Sequence, residues 1–117
     1  AGPESAYRFT AALKGSSVKD RVAIITDGRT SGAAAGACFQ YAAPEAALRG
    51  PLCAVEDGDI ICYDIEKKQL SIELPDDVLQ DRMARAELKL YPKKGYLGIY
   101  QKCVGSFLKG AVLRGNW

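Results

Sequence analysis

The stretch that most constrains this chain runs Val22-Ala23-Ile24-Ile25-Thr26-Asp27-Gly28-Arg29-Thr30-Ser31-Gly32-Ala33. Four apolar, mostly β-branched residues lead straight into a polar turn. The apolar run reads as a buried strand over 22–25. The turn then stands at the strand's carboxyl end, a common place for a rigid scaffold to carry chemistry. Asp27, Arg29 and Ser31 put a carboxylate, a guanidinium and a hydroxyl within five residues. Gly28 and Gly32 allow tight or left-handed backbone and let a ligand come close. Many strand-to-loop junctions share this composition, so the candidate site needs support from the rest of the chain.

At 117 residues the chain fits one domain with one core. A hydrophobic content of 48% with 26% charged residues is ordinary for a soluble globular protein and argues against disorder. The net charge of +2, with both signs interspersed, leaves no electrostatic footprint for nucleic acid. No apolar run approaches a membrane span. Ala1-Gly2-Pro3-Glu4 lacks the charged and apolar regions of a signal peptide. Because the sequence does not begin with Met, a fragment or processed product is expected.

Cys38, Cys53, Cys62 and Cys103 form no Cys-x-x-Cys pair, and the chain has no histidine. Zinc patterns built on close Cys or His pairs are therefore excluded. The thiols read as buried and free, which points to a reducing cytoplasm. Without histidine there is no Ser-His-Asp triad and no ordinary general base near neutral pH.

In chain order, residues 2–5 form a turn-like start, and 7–13 form a short apolar segment compatible with a helix. Residues 14–21 are a loop. Alanine content favours helix over 33–43, while Gly36 and the Phe39/Tyr41 pair allow a strand at 38–42. Pro44-Glu45-Ala46-Ala47-Leu48 reads as one helical turn with proline first and glutamate near the positive dipole end. Strands are expected at 52–55, 59–65 and 69–74, the last alternating apolar and polar residues at period two. Asp76 is placed as the N-cap of a helix over 77–88, which Tyr91-Pro92-Lys93-Lys94-Gly95 breaks. A final helix is expected from Tyr96 to about Leu108, with Leu97, Tyr100, Val104 and Phe107 on one face.

Several of these segments together carry a resemblance. Thr26-Asp27-Gly28-Arg29-Thr30-Ser31-Gly32 resembles the "TDGRxSG" motif of the dihydroxy-acid dehydratase / 6-phosphogluconate dehydratase family. Pro44-Glu45-Ala46 with Gly50-Pro51 is similar to that family's "PEA…GGP" segment. Glu56-Asp57-Gly58-Asp59-Ile60-Ile61, Asp64-Ile65 and Leu70 resemble its "DGDII…DI…L" strand pair. Gly95-Tyr96-Leu97 with Tyr100 and Lys109-Gly110-Ala111-Val112 look like its C-terminal helix and tail, and Gly2-Pro3-Glu4 like the end of its "GMPE" segment. Five ordered motifs cover the chain from Gly2 to about Val112.

The resemblance implies the C-terminal domain of a much longer dehydratase. The implied fold is α+β: a swivelling β/β/α domain with a compact barrel-like β core and flanking helices. It covers the active site of an N-terminal domain, the implied partner, which carries the iron–sulfur cluster ligands. None of this chain's cysteines matches a cluster ligand. The full-length protein is implied to be a cytoplasmic homo-oligomer, and the isolated domain to be inactive.

The implied reaction removes water from a 2,3-dihydroxy acid or sugar acid and leaves a 2-keto acid. A base must take the proton beside the carboxylate, the 3-hydroxyl must leave, and a cation must hold the substrate. By resemblance the base is Ser31, acting as an alkoxide whose pKa nearby metal charge depresses. Glu4 matches the family's Mg²⁺-ligand glutamate, and its hard oxygens suit that ion. Asp27 and Arg29 either meet the substrate carboxylate, as a bidentate arginine contact would, or brace the turn as an internal ion pair. Glu45 reads as a helix-end carboxylate, and Tyr41, Tyr96 and Tyr100 as core or interface residues.

Two positions depart from the family pattern. Ala33 replaces a common second glycine, and Tyr41 stands where many members have histidine before "PEA". The Ala33-Ala34-Ala35-Gly36-Ala37-Cys38 run is closer to sugar-acid dehydratases than to the branched-chain biosynthetic enzyme. The alternative is a non-catalytic β domain of the same descent that binds a small acid or a partner. Retention of both Ser31 and Glu4 favours the catalytic reading.

Overall fold

The computed structural model describes residues 6–32, 34, 36–88 and 94–114. The start at 2–5 with Glu4, Ala33, and the helix breaker at 91–93 lie outside the described residues. Among the described residues the domain mixes three α-helices with two small sheets. Among the described residues each sheet has two strands, and no closed barrel forms.

Helix α1 spans Tyr7–Lys14. Thr10 and Leu13, one helical turn apart, are its buried residues, and the Thr10 hydroxyl donates back to the Tyr7 carbonyl at 3.0 Å. Lys14 in the last turn complements the helix dipole. Gly15 and Ser16 end the helix by donating to the carbonyls of Ala11 and Leu13. After a 3-10 turn at Lys19–Arg21 comes strand β1, Ile24–Ile25. It pairs in parallel with β2, Cys38–Phe39, in the register Ile24 to Cys38 and Ile25 to Phe39. Of the two possibilities for 33–43, the strand forms, shortened from 38–42 to Cys38–Phe39, and the described residues 34 and 36–43 form no helix. Val22 and Ala23 lie before β1, so the strand is half the expected length.

The 3-10 turn Ala46–Leu48 begins two residues later than expected, with Pro44 outside it. Residues 52–55, expected as a strand, instead lie largely in the 3-10 turn Pro51–Ala54. The cause is local. Pro51 has no N–H to give a ladder and sits at the first helical position, and the Cys53 N–H closes onto the Gly50 carbonyl at 3.0 Å. The hairpin is as expected but shorter: β3, Ile61–Asp64, pairs antiparallel with β4, Gln69–Ile72. Asp64 accepts the Lys67 N–H at 2.8 Å in the connecting turn. Phe39 and Tyr63 link the two sheets, with ring centroids 4.6 Å apart.

Helix α2 spans Asp76–Arg85 and ends three residues earlier than expected. Pro75, not Asp76, is the N-cap, and no side chain caps the end. Asp76 and Asp77 instead act through charge in the first turn, with Arg82 and Arg85 in the last. Helix α3 spans Gly95–Cys103 and stops well short of Leu108. Val104 turns extended and bridges Leu113, and the Gly105 N–H donates to the Val112 carbonyl at 3.0 Å. A β-branched residue followed by glycine is a poor continuation of a helix. Phe107–Lys109 is then a separate 3-10 turn.

Two arginines fasten the middle of the chain to α2. Arg82 reaches Asp59 at 2.7 Å and Glu56 at 3.4 Å. The Glu56 N–H and the Arg82 guanidinium hold the Asp59 carboxyl below the usual carboxylate range, against a smaller opposing effect of desolvation. Arg49 donates through one guanidinium nitrogen to the carbonyls of Met83, Ala84 and Ala86 at 2.7–3.2 Å, where α2 leaves acceptors free.

The described core is thin. Leu13, Ile24 and Ala54 are its buried apolar residues. A cleft of about 930 Å³ is lined by Ile25, Phe39, Leu52, Ile61, Ile72 and Leu79 among others. Tyr96, Leu97, Ile99 and Leu108 are more than half exposed. The radius of gyration is 15.7 Å, against roughly 13.5 Å for a close-packed chain of this length. The four cysteines are half-buried rather than buried as expected. The Cys62 thiol donates to Glu73, and that hydrogen bond pushes its pKa up.

Candidate functional site

The polar turn after β1 is fixed along most of its backbone. Thr26 donates its N–H to Phe39 and accepts the Ala42 N–H, each at 3.0 Å, which carries the parallel pairing past the strand ends. The Thr26 hydroxyl accepts the Gly28 N–H at 2.9 Å and tightens the bend. Gly28 is buried, and its carbonyl accepts the Tyr41 N–H at 3.0 Å. The Arg29 carbonyl accepts the Ala6 N–H at 2.8 Å, so α1 hangs from the loop. Thr30 donates both its N–H and its hydroxyl to the Gln40 side-chain oxygen, at 3.0 and 3.3 Å. Ser31 is half-buried, and its carbonyl accepts the Ala34 N–H at 2.9 Å.

The five candidate residues divide into two kinds. Asp27 and Gly28 are turned to the frame. Asp27 Oδ2 accepts the Ala46 N–H at 2.9 Å and so ties the turn to the Pro44-Glu45-Ala46 segment. Arg29, Ser31 and Gly32 are on the outer part of the loop. The Arg29 side chain is exposed and makes no hydrogen bond or ion pair with a described residue. The Asp27–Arg29 ion pair weighed from sequence is therefore not formed: Asp27 is committed to a backbone N–H instead. A Cβ on Gly32 would meet nothing within 4 Å, which leaves room for an approaching ligand. Neither Gly28 nor Gly32 has a positive φ, so left-handed backbone is not why they are there.

The left-handed residue beside the turn is Tyr41, with φ 59°. A non-glycine residue in that region is uncommon and is held there by its surroundings. Its N–H is bound by Gly28, and its ring lies 5.6 Å from that of Phe107. Glu45 is only 4% exposed. It does not cap its own 3-10 turn. Its carboxylate accepts the Ser106 hydroxyl at 3.1 Å and the Phe107 N–H at 3.2 Å, across the fold. Gly50 packs against the same segment: a Cβ there would lie 1.8 Å from the Pro44 carbonyl oxygen. The "PEA…GP" spacing thus has a steric reason that its composition does not reveal. Gln40, Ser106 and Phe107 carried no local sign of their part in the site, because each acts through a contact distant in sequence.

Among the described residues no three His, Cys, Asp or Glu side chains are grouped closely enough to hold a metal ion. The described residues alone therefore do not fit a metal cage, and Glu4 lies outside them. No helix among the described residues is long and apolar enough to cross a membrane.

A family model described as dihydroxy-acid/6-phosphogluconate dehydratase C-terminal matches residues 1–111. A dihydroxy-acid dehydratase of Caldicellulosiruptor saccharolyticus is 50% identical over 105 residues, covering 89% of this chain and 19% of the relative. Those of Halothermothrix orenii and Methanococcus maripaludis are 45% and 42% identical over 104 and 106 residues, each again covering 19% of the relative. The chain thus spans about a fifth of the length of the curated relatives it matches. The match reaches from before the polar turn to the bridge-bearing tail, and on that basis the chain belongs to the dihydroxy-acid/6-phosphogluconate dehydratase family, in its C-terminal part.

Proposed function

We propose that this domain supplies the proton-abstracting serine of a dehydratase that turns a 2,3-dihydroxy acid into a 2-keto acid. The observation that carries the reading is the division of labour in the turn. Its backbone is held by Ala6, Phe39 and Tyr41 and its Asp27 carboxylate by the Ala46 N–H, while Arg29 stays exposed with no described partner. A catalytic group held on a rigid frame needs little reorganisation when it reacts. Ser31 takes the C2 proton beside the substrate carboxylate, which the Arg29 guanidinium binds. The C–H electron pair forms the C2–C3 double bond as the 3-hydroxyl leaves. Hydroxyl and proton together make the released water, and the enol tautomerises to the 2-keto acid. Asp27 and Gly28 keep the turn in place, and Gly32 leaves space for the substrate.

The described residues do not make a metal cage. In this reading the iron–sulfur cluster and Mg²⁺ belong to the remaining four fifths of the protein, with Glu4 as this chain's contribution. That larger part is also the partner that covers the exposed apolar residues, and movement of the domain against it is the proposed swivel. Its strands and those of this chain would complete the barrel-like core. The relatives named above favour a dihydroxy acid over a sugar acid, since each is named a dihydroxy-acid dehydratase.

The test is to assay the full-length protein with a short-chain 2,3-dihydroxy acid and with a sugar acid, reading 2-keto acid formation. Turnover of the dihydroxy acid supports the reading. Turnover of the sugar acid alone moves the substrate to the other branch. Binding of either acid without turnover would favour a non-catalytic domain.

A further inference from the structure

Phe107 is connected to the Asp27–Ser31 turn by two separate routes. Its N–H, with the Ser106 hydroxyl, binds the buried Glu45 carboxylate. The next residue, Ala46, gives its N–H to Asp27 at 2.9 Å. On the other side its ring lies against Tyr41, whose N–H is bound by the Gly28 carbonyl at 3.0 Å. The two routes close a ring through Phe107, Glu45, Ala46, Asp27, Gly28 and Tyr41. Glu45 holds the joint of that ring. Its own carbonyl also accepts the N–H groups of Leu48 and Gly50, each at 2.9 Å. A carboxylate 4% exposed costs free energy unless hydrogen-bonded, and these donors satisfy it. Nothing in the proposed proton transfer uses it.

We propose that Glu45 is a positioning residue that couples the 106–113 tail to the Asp27–Ser31 turn, so that the seating of the tail sets the reactivity of Ser31. This rests on Ser31 as the base for its kinetic consequence, but not for its structural one. If the tail withdraws, Glu45 loses two donors and Tyr41 loses its ring contact together. Both anchors of the turn, at Asp27 and at Gly28, then loosen.

The experiment compares wild type, Glu45→Gln, Ser106→Ala and the double variant in the full-length protein. Ser106→Ala is the mild change and remains informative if Glu45→Gln folds poorly. The first readout is hydrogen exchange by mass spectrometry over 26–32, 39–47 and, as a control, the hairpin 61–72. The proposal expects faster exchange in the first two segments of each variant, with the hairpin unchanged. Equal exchange in all three segments, or acceleration everywhere, would overturn it. The second readout is steady-state kinetics. Glu45→Gln is expected to lower kcat by about ten- to a hundred-fold while KM stays within about two-fold. The double variant should be no worse than Glu45→Gln, since both changes break one linkage. An additive double variant would contradict the coupling. If Ser31→Ala retained turnover, the base assignment would fail, and the exchange result would still decide the coupling.

Discussion

The carboxylate of Asp27 accepts the backbone N–H of Ala46 at 2.9 Å across nineteen residues of chain. This bond joins the two most distinctive segments of the sequence, Asp27-Gly28-Arg29 and Pro44-Glu45-Ala46. Asp27→Ala leaves a part-buried N–H without an acceptor, which costs about 1–3 kcal/mol. Asp27→Asn keeps an oxygen acceptor and should lose less than half as much. Urea unfolding of the two variants checks the order, and kcat should fall in the same order.

Gly50 is the steric counterpart of that bond. With the Pro44 oxygen 1.8 Å from its would-be Cβ, even alanine forces the backbone apart. Gly50→Ala is expected to cost about 3 kcal/mol or more, the upper range for overpacking. Gly58, whose would-be Cβ meets nothing within 4 Å but whose φ is +96°, provides the contrast. Gly58→Ala should cost about 1 kcal/mol, from backbone strain alone. Unfolding midpoints of the two variants compare close approach with conformational strain.

The sequence made some of this visible and hid the rest, for physical reasons. The hairpin was legible because alternation at 69–74 and the polar turn before it are local signals. Helix α2 was legible from its apolar spacing, although Asp76, expected as its N-cap, lies in the first turn. The strand expected at 52–55 failed because apolar content says nothing about a proline's missing donor. The long last helix failed because Val104 finds a better partner in Leu113, a contact no local pattern announces. In the site, the turn and the "PEA" segment stood out as motifs. That Asp27 would bind a backbone N–H rather than Arg29 depends on where the chain returns, and only the fold supplies that.

Asp59 gives a pH dependence with a definite sign. Its carboxyl sits below its ordinary value of 3.8 in the folded state, chiefly through the Glu56 N–H and with help from Arg82. The charged form is therefore favoured by folding. Its stabilising contribution is fully present above the unfolded pKa and is lost as pH falls through the lower folded value. Asp59→Asn should therefore lower stability at neutral pH, flatten stability against pH below about pH 4, and converge on wild type at the acid end. Urea midpoints measured from pH 2.5 to 7 check this; an unchanged acid limb would show that Asp59 contributes nothing there.

Arg29 is expected to act in binding. Removing a charged hydrogen bond to a carboxylate costs about 1.5–3 kcal/mol, or roughly ten- to a hundred-fold in KM. Arg29→Ala in the full-length protein should raise KM by that factor with a smaller change in kcat. Arg29→Lys should recover part of it, because lysine keeps the charge but not the fork. Since the side chain makes no bond to a described residue, the unfolding midpoint should not move.

The central claim is that Ser31 removes the substrate proton. Its most direct test is Ser31→Ala in the full-length protein, with kcat and substrate affinity measured on the same preparation. The account predicts a fall in kcat of about 10²–10⁴-fold, the usual contribution of a positioned base, with affinity changed by no more than a few-fold. Turnover within a few-fold of wild type would contradict it and leave the turn a binding element only.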